Sequence, residues 1–405
     1  MGVVVLKFGG TSVSSIEKIE KTAEQAIREK EQGHQVVIVV SAMGKSTDKL
    51  VQMAEQISKL PSKREMDMLL TTGEQITISL LAMALQAKGA NAVSFTGFQA
   101  GIETERVHGN ARILDIESER IRAALAENKI VVVAGFQGIT HDGEITTLGR
   151  GGSDTTAVAL AAELAALKCA ICTDVDGVYT TDPRYVTGTI KLEQLTYDEM
   201  LELANLGAGV LHPRSVEYAK NFKIPLEVRL SHGETSGTMI EEVLDLENTK
   251  VVRGIAFEDG ITRITIHWSR KEDMRVSKVF TELAKNNVDV DIIIQGITGL
   301  GHGNLSFTLK TAALLNALAV LEDKKGEIGY EQLESEQDLA KVSIVGSGMV
   351  SNPGVAARMF EALTENKVPI KMISTSEIKV STVVPERDMV KAAQVLHDTF
   401  ELEKA

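Results

Sequence analysis

Through the first 230 positions, short unbroken apolar runs alternate with amphipathic stretches. Val3–Phe8, Val36–Ser41, Ala92–Thr96, Ile130–Gly135, Cys169–Thr173 and Leu226–Leu230 have the length and β-branched character of buried strands. Between them Ile16–Glu31, Glu74–Lys88, Ile116–Asn128 and Thr155–Leu167 place apolar residues at helical spacing. Strand–helix alternation predicts an α/β domain with a mainly parallel sheet covered on both faces. Ligands of such sheets sit beyond the carboxyl ends of the strands.

Gly233–Lys250 is polar and breaks the alternation, which predicts a linker over 233–250. Beyond it the chain repeats itself at an offset of 80 residues. Phe280 falls on Phe360, Ile264 on Ile344, Asn286 on Asn366, Val288 on Val368 and Ile293 on Ile373. Each copy reads strand, helix, strand, strand, helix, with a further short strand expected, which is a ferredoxin-like βαββαβ unit. The expected domains are therefore 1–232, then 251–335 and 336–405 for the two copies.

Chemistry collects where the strands stop. Lys7 closes the first run and Phe8-Gly9-Gly10-Thr11-Ser12 follows, a glycine turn expected to lead into a helix N-terminus. Free N–H groups at such a point, with a lysine beside them, suit a phosphate. The order differs from a Walker A loop, where the lysine follows the glycines. The second run ends in Ser41-Ala42-Met43-Gly44-Lys45-Ser46-Thr47, and the fourth leads to Gly149-Arg150-Gly151-Gly152-Ser153-Asp154. After Cys169–Cys172 come Thr173-Asp174-Val175-Asp176-Gly177-Val178-Tyr179 and then Asp182-Pro183-Arg184. Four such loops at one edge indicate a site.

Charge and composition narrow the partners. The net charge is -13, with 43% hydrophobic and 24% charged residues, the profile of a globular protein without a nucleic-acid surface. No apolar run is expected to approach the ~20 residues of a membrane span. Neither a signal peptide pattern nor a membrane role is expected, and a cytoplasmic home is. Cys169 and Cys172 are i, i+3 on a strand and so face opposite ways, which predicts core thiols rather than a redox or metal pair. His212, before Pro213, is expected to start a helix.

Lys7-Phe8-Gly9-Gly10-Thr11-Ser12, Thr72-Gly73-Glu74, Gly149–Asp154 and Thr173–Arg184 resemble, in order, the motifs of aspartate kinases of the amino acid kinase superfamily. The tandem repeats resemble the ACT modules with which those enzymes sense amino acids. The resemblance implies a three-layer α/β sandwich followed by two ACT domains. It implies transfer of the γ-phosphoryl of ATP, carried with Mg²⁺, to the β-carboxylate of L-aspartate. No dedicated protein metal site is expected. A carboxylate acceptor is already ionised at neutral pH, so the reaction needs alignment and charge neutralisation rather than a general base.

By motif position, Lys7 and Asp154 are the expected catalytic pair. Lys7, Phe8, Gly9, Gly10, Thr173, Asp174, Tyr179, Asp182 and Arg184 are expected at ATP. Ser41, Thr47, Glu74, Arg150, Gly151, Gly152 and Ser153 are expected at aspartate, with Arg150 on the α-carboxylate and Glu74 on the ammonium. The plainer readings are a helix N-cap for Asp154, a first-turn helix acid for Glu74 and a simple turn at Asp176-Gly177. The family also implies an amino-acid effector, lysine, near Met349, Val350, Ser351, Asn352, Ser376 and Glu377. The first repeat has Asp273-Met274 where the second has Pro353-Gly354 and is expected to lack a full site. A homo-oligomer through the ACT domains is expected, and Met239 is a possible internal start for a shorter subunit. The alternatives are a kinase of the superfamily with another acceptor (glutamate, carbamate or a nucleotide) or a non-catalytic amino-acid sensor.

Overall fold

The computed structural model describes residues 2–206, 210–233, 235–242, 250–270, 274–297 and 303–404. Its first part opens β1 (Val3–Phe8), α1 (Ile16–Glu31), β2 (Gln35–Val40), α2 (Ser46–Ile57) and α3 (Lys63–Ala87). There follow β3 (Ala92–Phe95), β4 (Ile102–Thr104), β5 (Ile113–Ile116), α4 (Glu119–Ala126) and β6 (Ile130–Ala134). Next come β7 (Gln137–Ile139), β8 (Ile145–Thr147), α5 (Gly152–Glu163) and β9 (Lys168–Thr173). The part closes with β10 (Gln194–Thr196), α6 (Tyr197–Asn205), α7 (Pro213–Phe222), β11 (Leu226–Leu230) and β12 (Thr238–Glu241).

Eight of these strands form one sheet in the order β10-β12-β11-β9-β1-β2-β6-β3, parallel except between β11 and β12. Its central strands are buried along their length, which is why they read as continuous apolar runs rather than alternating ones. Phe8 lies opposite both Val40 and Cys172, and Val40 opposite Ala134, so the carboxyl ends of β1, β2, β6 and β9 are level. A smaller sheet, β5-β4-β7-β8, carries the residues just before Gly149.

Three expectations change. Helix α3 begins eleven residues before Glu74, which thus lies mid-helix. Gly73 is not a break there: a Cβ on it would fall 2.8 Å from the Cβ of Ala42, so the glycine admits the β2–α2 loop against the helix. With 25 residues, α3 is also long and apolar enough to cross a membrane. A search for uninterrupted runs passes over it because Asp67 and Glu74 lie inside; both are buried, and the helix packs on α1, β3, β6 and β8. Third, the expected linker holds β12, a short strand between β10 and β11 whose polar flanks hide it. Met239 is inside that strand, opposite Gln194 and Glu227, rather than in a linker; 243–249 lie outside the described residues.

The second part comprises β13 (Gly254–Trp268), α8 (Val276–Lys285), β14 (Ile293–Ile297), β15 (Gly303–Lys310), α9 (Leu314–Asp323) and a turn of helix, α10 (Lys325–Ile328). It continues with β16 (Gln332–Val345), α11 (Val355–Glu365), β17 (Met372–Thr375), β18 (Lys379–Pro385) and α12 (Met389–Thr399). All six strands join one antiparallel sheet, β14-β15-β13-β16-β18-β17. The repeats share its two long central strands. Ile261–His267 of β13 and Gln332–Glu336 of β16 serve the first repeat, whose core includes Ile264, Trp268, Leu283 and Phe307. Leu339–Val345 then opens the second repeat.

The fourth strand of the second repeat is not C-terminal to α12, where a short 3-10 turn stands at Leu402–Lys404. Gly254–Glu258, the start of β13, fills that place opposite Val345–Lys341. Val252 and Ile255 are buried with Ile344, Met359 and Leu396 in the second repeat's core. Thr180–Ile190 belongs to this same unit: Val186 is in its core, and Thr180 Oγ1 lies 3.0 Å from Nε2 of the buried His397. Ile255→Ala is expected to cost about 2–5 kcal/mol locally. Hydrogen exchange should rise in α11 and α12 and stay unchanged in α8 and α9.

Candidate active site

Lys7 emerges at the level edge of the sheet, nine-tenths buried, with its Nζ 2.6 Å from Oδ1 of Asp154. Asp154 belongs to the first turn of α5, which starts after Gly151 in a left-handed conformation (φ 68°). The N-cap is thus Gly151, and the capping reading of Asp154 gives way to an ion pair. Gly151 is confined twice, since a Cβ on it would lie 2.2 Å from the His212 ring. His212 itself caps α7, its Nδ1 accepting from the backbone N–H of Arg214 at 3.3 Å, as its place before Pro213 suggests. Ser153 packs on Gly135, where a Cβ would fall 2.8 Å from Ser153 Oγ.

The turn after Lys7 differs from expectation. Gly10–Val13 is a 3-10 turn, and α1 begins only at Ile16, capped by the Ser15 hydroxyl. The cause is the neighbouring loop. Gly44 N–H donates to Gly10 O at 2.9 Å, and a Cβ on Gly10 would lie 2.8 Å from Ala42 O. The two loops close on each other, and continuous α-helix would separate them. Ring Nε2–H of His232, which sequence reasoning missed, donates to Ser12 O at 3.1 Å and fixes the same turn.

Glu74 reaches this place from the middle of α3, so the first-turn reading fails. Its Oε1 accepts from Ala42 N–H at 2.9 Å, while buried Oε2 has no hydrogen-bond partner among the described residues. Burial pushes the carboxyl up to about 7, against backbone N–H bonds from Ala42 and from Glu74 itself that favour the ionised form. Ser41 follows β2 directly, its N–H donating to Phe8 O at 3.1 Å, and Thr47 is in the first turn of α2. Arg150 is exposed and makes no hydrogen bond or ion pair among the described residues.

The remaining sequence candidates separate into two groups. Thr173 ends β9, its hydroxyl donating to Asp174 Oδ1 at 3.1 Å. Asp176 is more than a turn residue: it accepts from Tyr179 OH at 3.0 Å and from Lys191 Nζ at 3.2 Å. Lys191, an isolated lysine with no motif around it, gave no signal in the sequence. Asp182 accepts from both the backbone and the guanidinium of Arg184, which holds its carboxyl below the ordinary range; both residues belong to the second unit.

In the second repeat, the loop before α11 and the β17–β18 turn are joined by Gly346 N–H donating to Ile378 O at 3.0 Å. Ser376 and Glu377 are exposed in that turn, and Asn352 donates to Gly348 O at 2.8 Å. Met349 packs partly on the repeat's core, while the side chains of Val350 and Ser351 lie outside the described residues. Of the matching first-repeat pair, Asp273 also lies outside them, and Met274 packs against that repeat's core. Cys169 and Cys172 are free, buried thiols.

Comparison with known proteins bears on the family and the fold. Residues 2–229 match the amino acid kinase family and residues 342–400 an ACT domain. The chain is 64% identical over 404 residues to aspartokinase 2 of Bacillus subtilis, covering 100% of this chain and 99% of the relative. It belongs to the aspartokinase family. Aspartokinase III of Escherichia coli, solved with aspartate and ADP in the R-state, superposes with a TM-score of 0.81 at 26% identity, covering 98% of this chain and 99% of that one. The same aspartokinase with lysine and aspartate in the T-state gives 0.77 at 27% identity and the same coverage.

The raised Glu74 value has a consequence for stability. Its ordinary value is 4.5, so ionisation of the buried carboxyl opposes folding increasingly as pH rises from there through about 7. Without substrate, Glu74→Gln is expected to unfold at higher urea than the parent at pH 8, by about 2–3 kcal/mol. The gap should close toward pH 5.

Proposed function

We propose that the chain transfers the γ-phosphoryl group of ATP to the β-carboxylate of L-aspartate, giving ADP and 4-phospho-L-aspartate, under feedback from lysine. The observation that carries this reading is the Lys7–Asp154 pair at the level strand ends, together with a buried Glu74 carboxyl oxygen, held by the β2–α2 loop, that lacks a partner among the described residues. The partner missing from Glu74 Oε2 is supplied by the substrate's ammonium. Arg150, unengaged, takes the α-carboxylate through its planar fork of donors. Held at both ends, the substrate presents its β-carboxylate to the phosphoryl group; a new P–O bond forms as the bond to ADP breaks.

Lys7 neutralises charge on the transferred group, and Asp154 fixes where its Nζ stands. The N–H groups of Gly9 and Gly10 and the segment Thr173, Asp174 and Tyr179 hold the nucleotide. Mg²⁺ carried on the nucleotide supplies additional neutralisation of phosphate charge. No side chain has to remove a proton, since the acceptor is ionised at neutral pH.

Lysine occupies the loop before α11 together with Ser376 and Glu377, whose carboxylate meets its ammonium. Self-association runs through the regulatory sheet, whose edge strands β14 and β17 expose Ile293, Ile294 and Ile373. A cytoplasmic setting accords with two free buried thiols.

Lys7→Ala is expected to abolish aspartate-dependent ADP release with the fold retained by circular dichroism; a kcat within threefold of the parent would remove Lys7 from the chemistry. The KM for aspartate should fall as pH rises from 6 to 8, because the ammonium needs the ionised form of Glu74, and Glu74→Gln should abolish that slope. Ser376→Ala should raise the half-inhibitory lysine concentration at least tenfold without changing uninhibited turnover. Intact protein insensitive to lysine would refute the effector assignment.

A further inference from the structure

Among the described residues Arg150 has no partner of its own, yet the segment that carries it is tied from below. Asp67, fully buried on α3, accepts from Thr147 Oγ1 at 2.6 Å, from Gly109 N–H at 3.1 Å and from His108 Nδ1–H at 2.8 Å. Thr147 is the last residue of β8, three positions before Arg150. Arg214, on α7, donates Nη1 to Leu148 O and Nη2 to Ala111 O, each at 2.8 Å. Both side chains therefore bind the same two stretches of chain, the end of β8 and the 108–111 loop beside it, Asp67 mainly through side chains and Arg214 through carbonyls. Gly149 needs that loop close by: at φ 77°, a Cβ on it would lie 2.5 Å from Asn110 Oδ1.

Leu148 and Ala111 are fully buried, so apolar packing and these polar ties hold the region together. A cavity of about 550 Å³ lined by Asn110, Thr155, His212, Arg214 and Tyr218 adjoins it. The polar ties add direction to that packing, since a carboxylate with several donors has little freedom to move. Asp67 and Glu74 are seven residues apart on one helix, two turns along the same face and about 10 Å along the axis. One rigid face thus carries the carboxyl of the ammonium site and the anchor of the Arg150 loop.

We propose that Asp67 and Arg214 are positioning residues for aspartate, acting through Arg150 by fixing Thr147 and Leu148, so that α3 sets the span between the two ends of the bound amino acid. The inference rests on the reading of Arg150 as the α-carboxylate site. Misplacing a substrate-holding group by about 1 Å can cost 10²-fold in rate or binding.

The test is steady-state kinetics of the full chain with both substrates varied. Thr147→Val, Asp67→Asn and Arg214→Gln should each raise the KM for aspartate about tenfold, leaving kcat and the KM for ATP within twofold. Arg214→Lys, able to reach only one of the two carbonyls, should fall between the parent and Arg214→Gln. Combined with Arg150→Ala, Asp67→Asn should add no further loss, since its effect runs through the missing guanidinium. A merely structural role would instead lower the thermal midpoint and disturb both KM values alike. Where Asp67→Asn fails to fold, Thr147→Val, which removes a single hydroxyl, decides. An unchanged KM for aspartate in Thr147→Val and Arg214→Gln, with Arg150→Ala raising it, overturns the proposal alone. An unchanged KM in Arg150→Ala overturns the reading beneath it.

Discussion

Lys7 and Asp154 meet at 2.6 Å with both side chains nearly out of water, and much of the catalytic unit answers to that contact. A buried charge needs a partner held in place, because an ionised group loses its hydration without one. The partner comes from the first turn of α5, so the loop before that helix must bring it to the end of β1. Gly151 in a left-handed conformation and His212 behind it define the path of that loop. The parallel sheet does the rest by ending β1, β2, β6 and β9 at one level. Removing either charge would leave the other stranded at the point where the phosphoryl group is expected.

Around this pair the site is built from contrasting degrees of satisfaction. Asp67 is buried and amply bonded; Glu74, on the same face of α3, is buried with one oxygen idle. A folded chain tolerates an idle buried carboxyl oxygen only by raising its proton affinity, as Glu74 does. The first arrangement resists change and suits a support. The second is destabilised until a cation arrives and suits a binding group.

How much of this was legible follows from the kind of signal each feature leaves. The central strands and most helices are plain in the apolar pattern, because a parallel sheet buries both faces and its strands stay apolar throughout. Lys7, Arg150 and Asp154 stand out because they fall in glycine-bearing loops that follow strands at one edge and in stretches that resemble the family's motifs. Glu74 was found by motif while its setting was misread, since Gly73 looks like a boundary and is a packing contact. The 3-10 turn at Gly10 depends on a loop thirty residues away and leaves no local mark. Lys191, Asp67 and Arg214 were missed for the same reason: each is an ordinary charged residue until folding supplies its partners. Strand β12 is too short and too polar at its flanks to announce itself.

The shared central strands of the regulatory unit impose an order of events on the growing chain. Gly254 pairs with Val345, so the second repeat borrows a strand synthesised long before its own first residues. At about 5–20 residues per second, Gly254–Glu258 waits on the order of 5–20 s for its partner to emerge. During that interval an apolar edge with Val252 and Ile255 stands open while the first repeat condenses beside it. Closing so long a loop is slow compared with local folding, and the final docking of the second repeat becomes the step that protects the nascent chain from its neighbours. Any fragment cut after Glu258 would forfeit that protection permanently, carrying β16 with one side unpaired over Lys341–Val345.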